Sequence, residues 1–523
     1  MFVALSHLLL GSITIGMLLL SAACRPSSAD PPPGYLTIAI ESNPLQLDPR
    51  YATDANSVRI GNLIYNSLLR ADQKSQLQPE LAENWRMVDE KTYFFELRRD
   101  ARFHDGRPLT AVDVKFTYES ILDPTSRSPK RGLLKPLHAV EQIGPYQLKF
   151  ALDSVHAPFV EQFTLGIVPA GSSTREPPNF QPPLGSGPFM VQSIESGERV
   201  LLKANPSAWQ GKPSLAGLIF KVVPDAMVRV LEFQKGAVDF MQNDLEPDML
   251  PWLRQNTNAN VGSVLGTTYQ YIGINFTHPI LRYKKVRQAL AYAIDREAIV
   301  QYLRRGLATP AVGLLPPASW AFTPDVTNFL YDPARARALL DEAGFRDPDG
   351  PGPEPRLRLT LKVSNIEFNR LQSAVIQEDL RKVGVALDVR MYEFATLYAD
   401  VVKGNFQMFA LQWVGGALAD PDILRVVFHS SQAPPVGFNR GFFADPQTDA
   451  LLEEAARSID EGSRRELFAR AQRRLAEQVP YISLWTKRNV AIAQRSLRGI
   501  HLSPIADFLF LPDVERIPVS VSR

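Results

Sequence analysis

A chain of 523 residues, 45% hydrophobic and 21% charged, has the make-up of a soluble globular protein. That length exceeds what one hydrophobic core supports, so two or three domains are expected. The formal net charge is +2 with the basic residues dispersed, which argues against a nucleic-acid face, and a single cysteine, Cys24, excludes an intrachain disulfide and an all-cysteine zinc site.

Residues 8 to 20, LLLGSITIGMLLL, form an uncharged apolar run of signal-peptide length. It is too short to span a bilayer comfortably, which takes roughly 20 residues. Ser21, Ala22 and Ala23 follow, then Cys24, then RPSSADPPPG, a polar Pro-rich stretch that buries too little apolar surface to fold and reads as a tether. Apolar run, small residues, cysteine and tether resemble a bacterial lipoprotein leader. That resemblance implies a signal peptide over 1–23, a tether over 24–34 and lipid on Cys24. Ser21 and Ala23 equally suit ordinary signal cleavage, which would release a soluble product. Either route places the protein across the cytoplasmic membrane, in the periplasm or at the cell surface, and the lipid would anchor it there.

Further along, YLTIAI (35–40) alternates and ends at the turn-rich SNPLQLDP, so it reads as a strand feeding a loop. KTYFFELRRDARFHDG sets Tyr93, Phe95 and Leu97 on one strand face before an Asp105-Gly106 turn. Thr110 with Asp113 forms a capping box for a helix expected to end before Asp123-Pro124. GSG at 185–187, next to Pro188, reads as a flexible joint rather than a dinucleotide site. KKVRQALAYAIDREAIVQYL carries Val286, Leu290, Ala293 and Ile294 on one helical stripe. In YDPARARALLDEAGF, Asp332 suits the N-cap, Pro333 the first turn and Gly344 the stop. RDPDGPGPEP (346–355) lacks calcium-loop spacing and reads as a surface loop. These elements make a mixed α/β protein of more than one lobe.

Catalytic signatures are missing. The seven histidines are scattered without metal-ligand spacing, and neither a Walker phosphate loop nor a G-x-S-x-G nucleophile elbow occurs. Asp420 and Asp422 are a carboxylate pair, but such pairs are common in loops. No enzyme activity, cofactor or metal is expected.

PELAENWRMVDEKTYFFELRRDARFHDGRPLTAVDVKFTYESILDP (79–124) resembles the signature region of bacterial family 5 extracytoplasmic solute-binding proteins, the receptors of peptide, nickel-chelate and related ABC importers. LGSGPFMVQSIESGERVLLKANPSAW (184–209), IFKVVPDAMVRVLEFQKGAVDF, YIGINFTHPILRYKKVRQALAYAIDREAIV and WVGGALADPD continue the resemblance to the C-terminus. It implies a large, three-domain, class II-like periplasmic-binding-protein fold with a cleft between two lobes and a two-strand hinge. One lobe would combine 35–71, 187–271 and 487–523 with an inserted domain over 72–186, and the other would be 272–486. It implies a monomer that captures a peptide or peptide-like solute by lobe closure and delivers it to permease subunits.

The same resemblance names Asn43, Tyr271, Asn275, Ser364, Trp413 and Asp420 as candidate ligand contacts. Each also has a plain structural reading, and about half are expected to serve turns or core. Peptide-binding members hold the ligand amine with an Asp shortly after the Trp that is Trp413 here, yet Val414 to Ala419 contain no carboxylate. The Arg that dipeptide receptors offer to a carboxylate is replaced by SNIEFNR, with Ser364 or Asn365 near that place. Either the ligand is not an ordinary short peptide, or Asp420, Glu367 and Arg370 substitute. The alternatives are a receptor for a metal chelate or oligosaccharide, a receptor for sensing or cell-wall recycling, and a secreted hydrolase.

Overall fold

The computed structural model describes residues 31–72, 76–173, 183–243, 245, 247–256, 259–350, 352–414, 420–434 and 437–517. Cys24 and its leader lie outside them. One long mixed sheet runs through the molecule. Its strands lie in the order Val385–Tyr392, Leu357–Ser364, Met408–Trp413, Ala259–Ile274, Tyr481–Gln494, Phe240–Gln242, Tyr35–Ile40, Gly217–Val222, Arg199–Ala204 and Phe189–Glu195, with Ala308–Pro310 paired to Tyr481–Gln494.

At one end, Leu36, Ile38, Phe220 and Phe240 pack with Leu63, Ile64 and the chain's late residues Phe508 and Phe510. At the other, Leu359, Leu361, Val363 and Met408 pack with helices Lys284–Ala293, Pro333–Glu342 and Glu367–Arg381. A third core stands apart on an antiparallel sheet ordered Ala82–Asp89, Thr92–Leu97, Gln147–Leu152 and Leu137–Gly144. Tyr93, Phe95 and Phe150 from that sheet meet Phe163 edge-on, with centroids 4.6–5.0 Å apart, the geometry aromatic quadrupoles favour.

Local chemistry accounts for the element ends. Asp113 Oδ2 accepts from both the amide and hydroxyl of Thr110, closing the expected box on helix Ala111–Leu122. Asp332 accepts from the Arg335 amide with Pro333 behind it, and Gly344 ends that helix at φ +89°. The stripe 284–294 is helical only to Ala293, where Ile294 turns extended and Asp295 caps a second short turn.

The GSG segment is no flexible joint. A Cβ on Gly185 would sit 2.0 Å from the Ile64 carbonyl oxygen, and one on Gly187 would sit 2.6 Å from that of Leu63. The Gly187 amide donates to Ile64 O at 2.8 Å. These glycines let two backbones touch.

Ala259–Ile274 and Tyr481–Gln494 are the two long strands that leave one core and enter the other. Ala491 and Ala493 belong to the first, Ile274 and Ile482 to the second. Their pairing breaks midway, after Leu265–Arg488 and before Tyr269–Thr486, so Gly266 to Thr268 bulge opposite Lys487. A Cβ on Gly266 would meet Asn489 Oδ1 at 2.7 Å and Lys487 O at 2.9 Å, which explains glycine there. An interrupted two-strand crossing between separately packed cores is where bending concentrates.

Candidate functional site

Where the crossing strands enter the second core, period-two alternation puts Tyr269 and Tyr271 on one face, and Trp413 pairs opposite Tyr269. Tyr271 stacks on Tyr481 with centroids 3.9 Å apart and lies parallel to Trp413 at 6.5 Å. Phe438 meets the Trp413 ring edge-on at 5.7 Å, and the Arg440 guanidinium lies 5.2 Å from its centroid. Among the described residues, the buried Tyr271 and Tyr481 hydroxyls and Trp413 Nε1 find no well-formed hydrogen bond, although Tyr481 lies in reach of both others. Burial raises both phenol pKa values, so each keeps its proton at physiological pH.

A second cluster bridges two cores. Glu161 lies on the turn Ala157–Thr164 between Phe159 and Phe163 of the third core, and its carboxyl accepts the backbone amide of Asp420, beside Leu424 of a fourth core that also holds Tyr269 and Tyr271. Asp420 is 4% exposed and pairs with Arg464 at 2.5 Å, while Asp422 pairs with Arg425 at 2.6 Å. Burial, and then the neighbouring Asp420 carboxylate, holds the Glu161 pKa well above the usual carboxylate range. Burial also raises Asp420 against the pull of Arg464. Tyr93, pushed up to about 12 by burial, and His156, pushed down by burial, face the same charges.

The sequence-derived candidates therefore separate. Tyr271 and Trp413 share the aromatic cluster. Asp420 has its carboxylate engaged by Arg464 and the Asp422 amide. Asn275 donates to Phe406 O and accepts from the Thr277 amide and hydroxyl, holding a turn. Ser364 accepts from Asn369 at 2.6 Å. Asn43 accepts from the Gly197 amide at 3.3 Å, tying its loop to a hairpin. Glu367 and Arg370 pair with each other on an exposed helix face. Residues 415–419, on which the missing amine anchor was read, lie outside the described residues.

Glu161, Arg440, Arg464 and Tyr481 were not singled out in the sequence. HAPFVEQF offered one faint signal, a carboxylate set between core aromatics, and GFNRGFF another, an arginine in an aromatic run. Among the described residues no group of three or more His, Cys, Asp or Glu side chains is placed to hold a metal, and no helix is long and apolar enough to cross a membrane.

Two separately packed lobes, joined by two crossing strands and touching again through Glu161 and Asp420, define a two-lobe ligand-binding receptor. The chain belongs to the bacterial extracellular solute-binding proteins, family 5, whose profile matches residues 76–435. It is 29% identical over 496 residues to the oligopeptide-binding protein AppA of Bacillus subtilis (strain 168), spanning 91% of this chain and 90% of that one. The solved structure of AppA in complex with a nonapeptide superposes with a TM-score of 0.79 at 27% identity, covering 93% of this chain and 99% of its own. NikZ from Campylobacter jejuni, solved with Ni(L-His), gives a TM-score of 0.81 at 26% identity and covers 93% of this chain and 100% of its own.

Proposed function

We propose that this protein captures a peptide or peptide-like small solute between its lobes and delivers it to the permease subunits of an ABC importer. The observation that carries the reading is the Glu161–Asp420 contact, a buried polar contact between lobes that are also joined by a bulged two-strand crossing and by the exposed Arg305–Asp248 ion pair. A ligand touching both lobes favours the joined form in proportion to its differential affinity. AppA and its nonapeptide support the peptide class. Trp413 and Tyr271 offer the apolar area that such pockets use.

The lobes are taken to be 35–71, 187–271 and 487–523 with the insertion 72–186, and 272–486. The receptor works as a monomer. Lipid on Cys24 would raise its effective concentration at the permease, and palmitate labelling lost in Cys24→Ser tests that point. No catalytic role is assigned: the Asp420–Asp422 pair needed by a hydrolase is held by Arg464 and Arg425.

The test is calorimetric titration of the chain begun at Pro26 with di- to nonapeptides, with peptide uptake measured in a deletion strain. Saturable binding with lost uptake supports the reading. Product formation from the peptides, or binding without any uptake defect, overturns it in favour of a hydrolase or a sensing receptor.

A further inference from the structure

The buried arginines of this protein are well partnered, with one exception. Arg464 has Asp420 and Arg50 has Asp48. Arg287 donates to the Leu281, Arg282 and Gln478 carbonyls. Arg440 is 6% exposed, and among the described residues its guanidinium makes one hydrogen bond, from Nη2 to the neutral Tyr398 hydroxyl at 2.9 Å, and no ion pair. A guanidinium carries five N–H donors and a charge that burial penalises unless it is paired.

The neighbours of Arg440 share its deficit. Among the described residues, Tyr271 Oη, Tyr481 Oη and Trp413 Nε1 are buried and find no well-formed hydrogen bond, with Tyr481 Oη in reach only of the other two, and both phenols lie close enough to feel the Arg440 charge. An indole N–H and a guanidinium only donate, and a phenol both donates and accepts. Water would satisfy the hydroxyls and the indole but leave the charge uncompensated. An ammonium would be repelled by Arg440, and Asp420 is already engaged by Arg464. The phenol oxygens can accept, but no described residue here supplies the negative charge that a buried guanidinium calls for, and an anion would. Val414 and Phe438, both solvent-exposed, flank the cluster.

We propose that Arg440, with Trp413 Nε1 and the hydroxyls of Tyr271 and Tyr481, forms a carboxylate-binding subsite where the crossing strands enter the second lobe. The inference rests on the solute-receptor reading and narrows it: the ligand carries a carboxylate, from a free C-terminus or an acidic side chain.

The test compares Ala-Ala-Ala, its C-terminal amide, Ala-Glu-Ala amide and succinate on the wild-type chain, Arg440→Gln and Arg440→Lys. Ala-Ala-Ala is expected to bind roughly 10- to 100-fold tighter than its amide, a difference that Arg440→Gln abolishes and Arg440→Lys partly keeps. Recovery of affinity by Ala-Glu-Ala amide, again lost in Arg440→Gln, would assign the carboxylate to a side chain. Equal binding of Ala-Ala-Ala, its amide and Ala-Glu-Ala amide by the wild type, a comparison needing no variant, overturns the subsite and leaves peptide capture standing. So does an Arg440→Gln loss that is the same for both. If no peptide binds but succinate raises the wild-type Tm and not that of Arg440→Gln, peptide capture falls and the subsite stands. If succinate also fails, both fall.

Discussion

Glu161→Gln and Glu161→Ala separate two properties of the carboxyl that joins the lobes. Its oxygen accepts the Asp420 amide, and the group lies buried beside the Asp420 and Asp422 carboxylates, with Arg464 as a neighbouring cation. Burial foremost, then Asp420, raises its pKa in the joined form. With the lobes apart it returns to water and to a glutamate value of about 4.3. The joined form therefore binds a proton that the open form gives up, and Asp420, also raised, acts in the same direction. Closure is fully favoured below the open-form value, weakens as pH climbs through the raised value, and becomes independent of pH above it. Glu161→Gln keeps the acceptor and needs no proton, so it should bind the receptor's best peptide more tightly at pH 7 and flatten the pH profile. Glu161→Ala leaves the Asp420 amide buried without an acceptor, which costs about 1–3 kcal/mol, or roughly 5- to 150-fold in Kd. Titration calorimetry between pH 4.5 and 8 reads both effects. Equal weakening by the two variants, or a wild-type profile that Glu161→Gln leaves unchanged, would refute the reasoning.

Gly185→Ala should lower Tm by more than about 3 °C, because its Cβ meets the Ile64 carbonyl at 2.0 Å and backbone cannot yield as a side chain does; a change within error in a melting curve would contradict the packing. Arg464→Met strands the buried Asp420 carboxylate near Glu161 and should destabilise by about 3–5 kcal/mol. Adding Asp420→Leu should recover much of that loss in denaturant titration, and strict additivity would show that the pair is not coupled. Trp413→Ala should weaken peptide binding at least about tenfold in calorimetry with little change in Tm, since Trp413 is only partly buried.

The elements were legible where the signal is local. Alternation in YLTIAI and TYFFEL, the Thr110–Asp113 box and the Asp332-Pro333 start depend on neighbours within a few residues, and all fold as their spacing implies. GSG was misread because glycine has two uses, and its partner, the end of a helix at Ile64, is far away in the chain. The site was less legible. Glu161 and Asp420 are 259 positions apart, and neither FVEQF nor LADPD carries a mark of the other. Arg440 stands out by meeting a single neutral hydroxyl where Arg50 and Arg464 meet carboxylates and Arg287 meets three carbonyls, and an absent partner leaves no motif. Tyr271 and Trp413 were found through the family resemblance and fall in one cluster, whereas Asn275 and Ser364 have their polar atoms engaged inside the protein.

Ligand-driven closure is the central claim, and the chain begun at Pro26 contains no cysteine, so two introduced thiols can be labelled specifically. Ile143→Cys on the inserted sheet and Ile459→Cys between two helices of the second lobe replace exposed side chains on separate cores. Single-molecule energy transfer between them should show open and joined populations in the free protein and collapse to the joined one with a bound peptide. A peptide that binds and leaves the distance distribution unchanged would contradict capture by lobe closure.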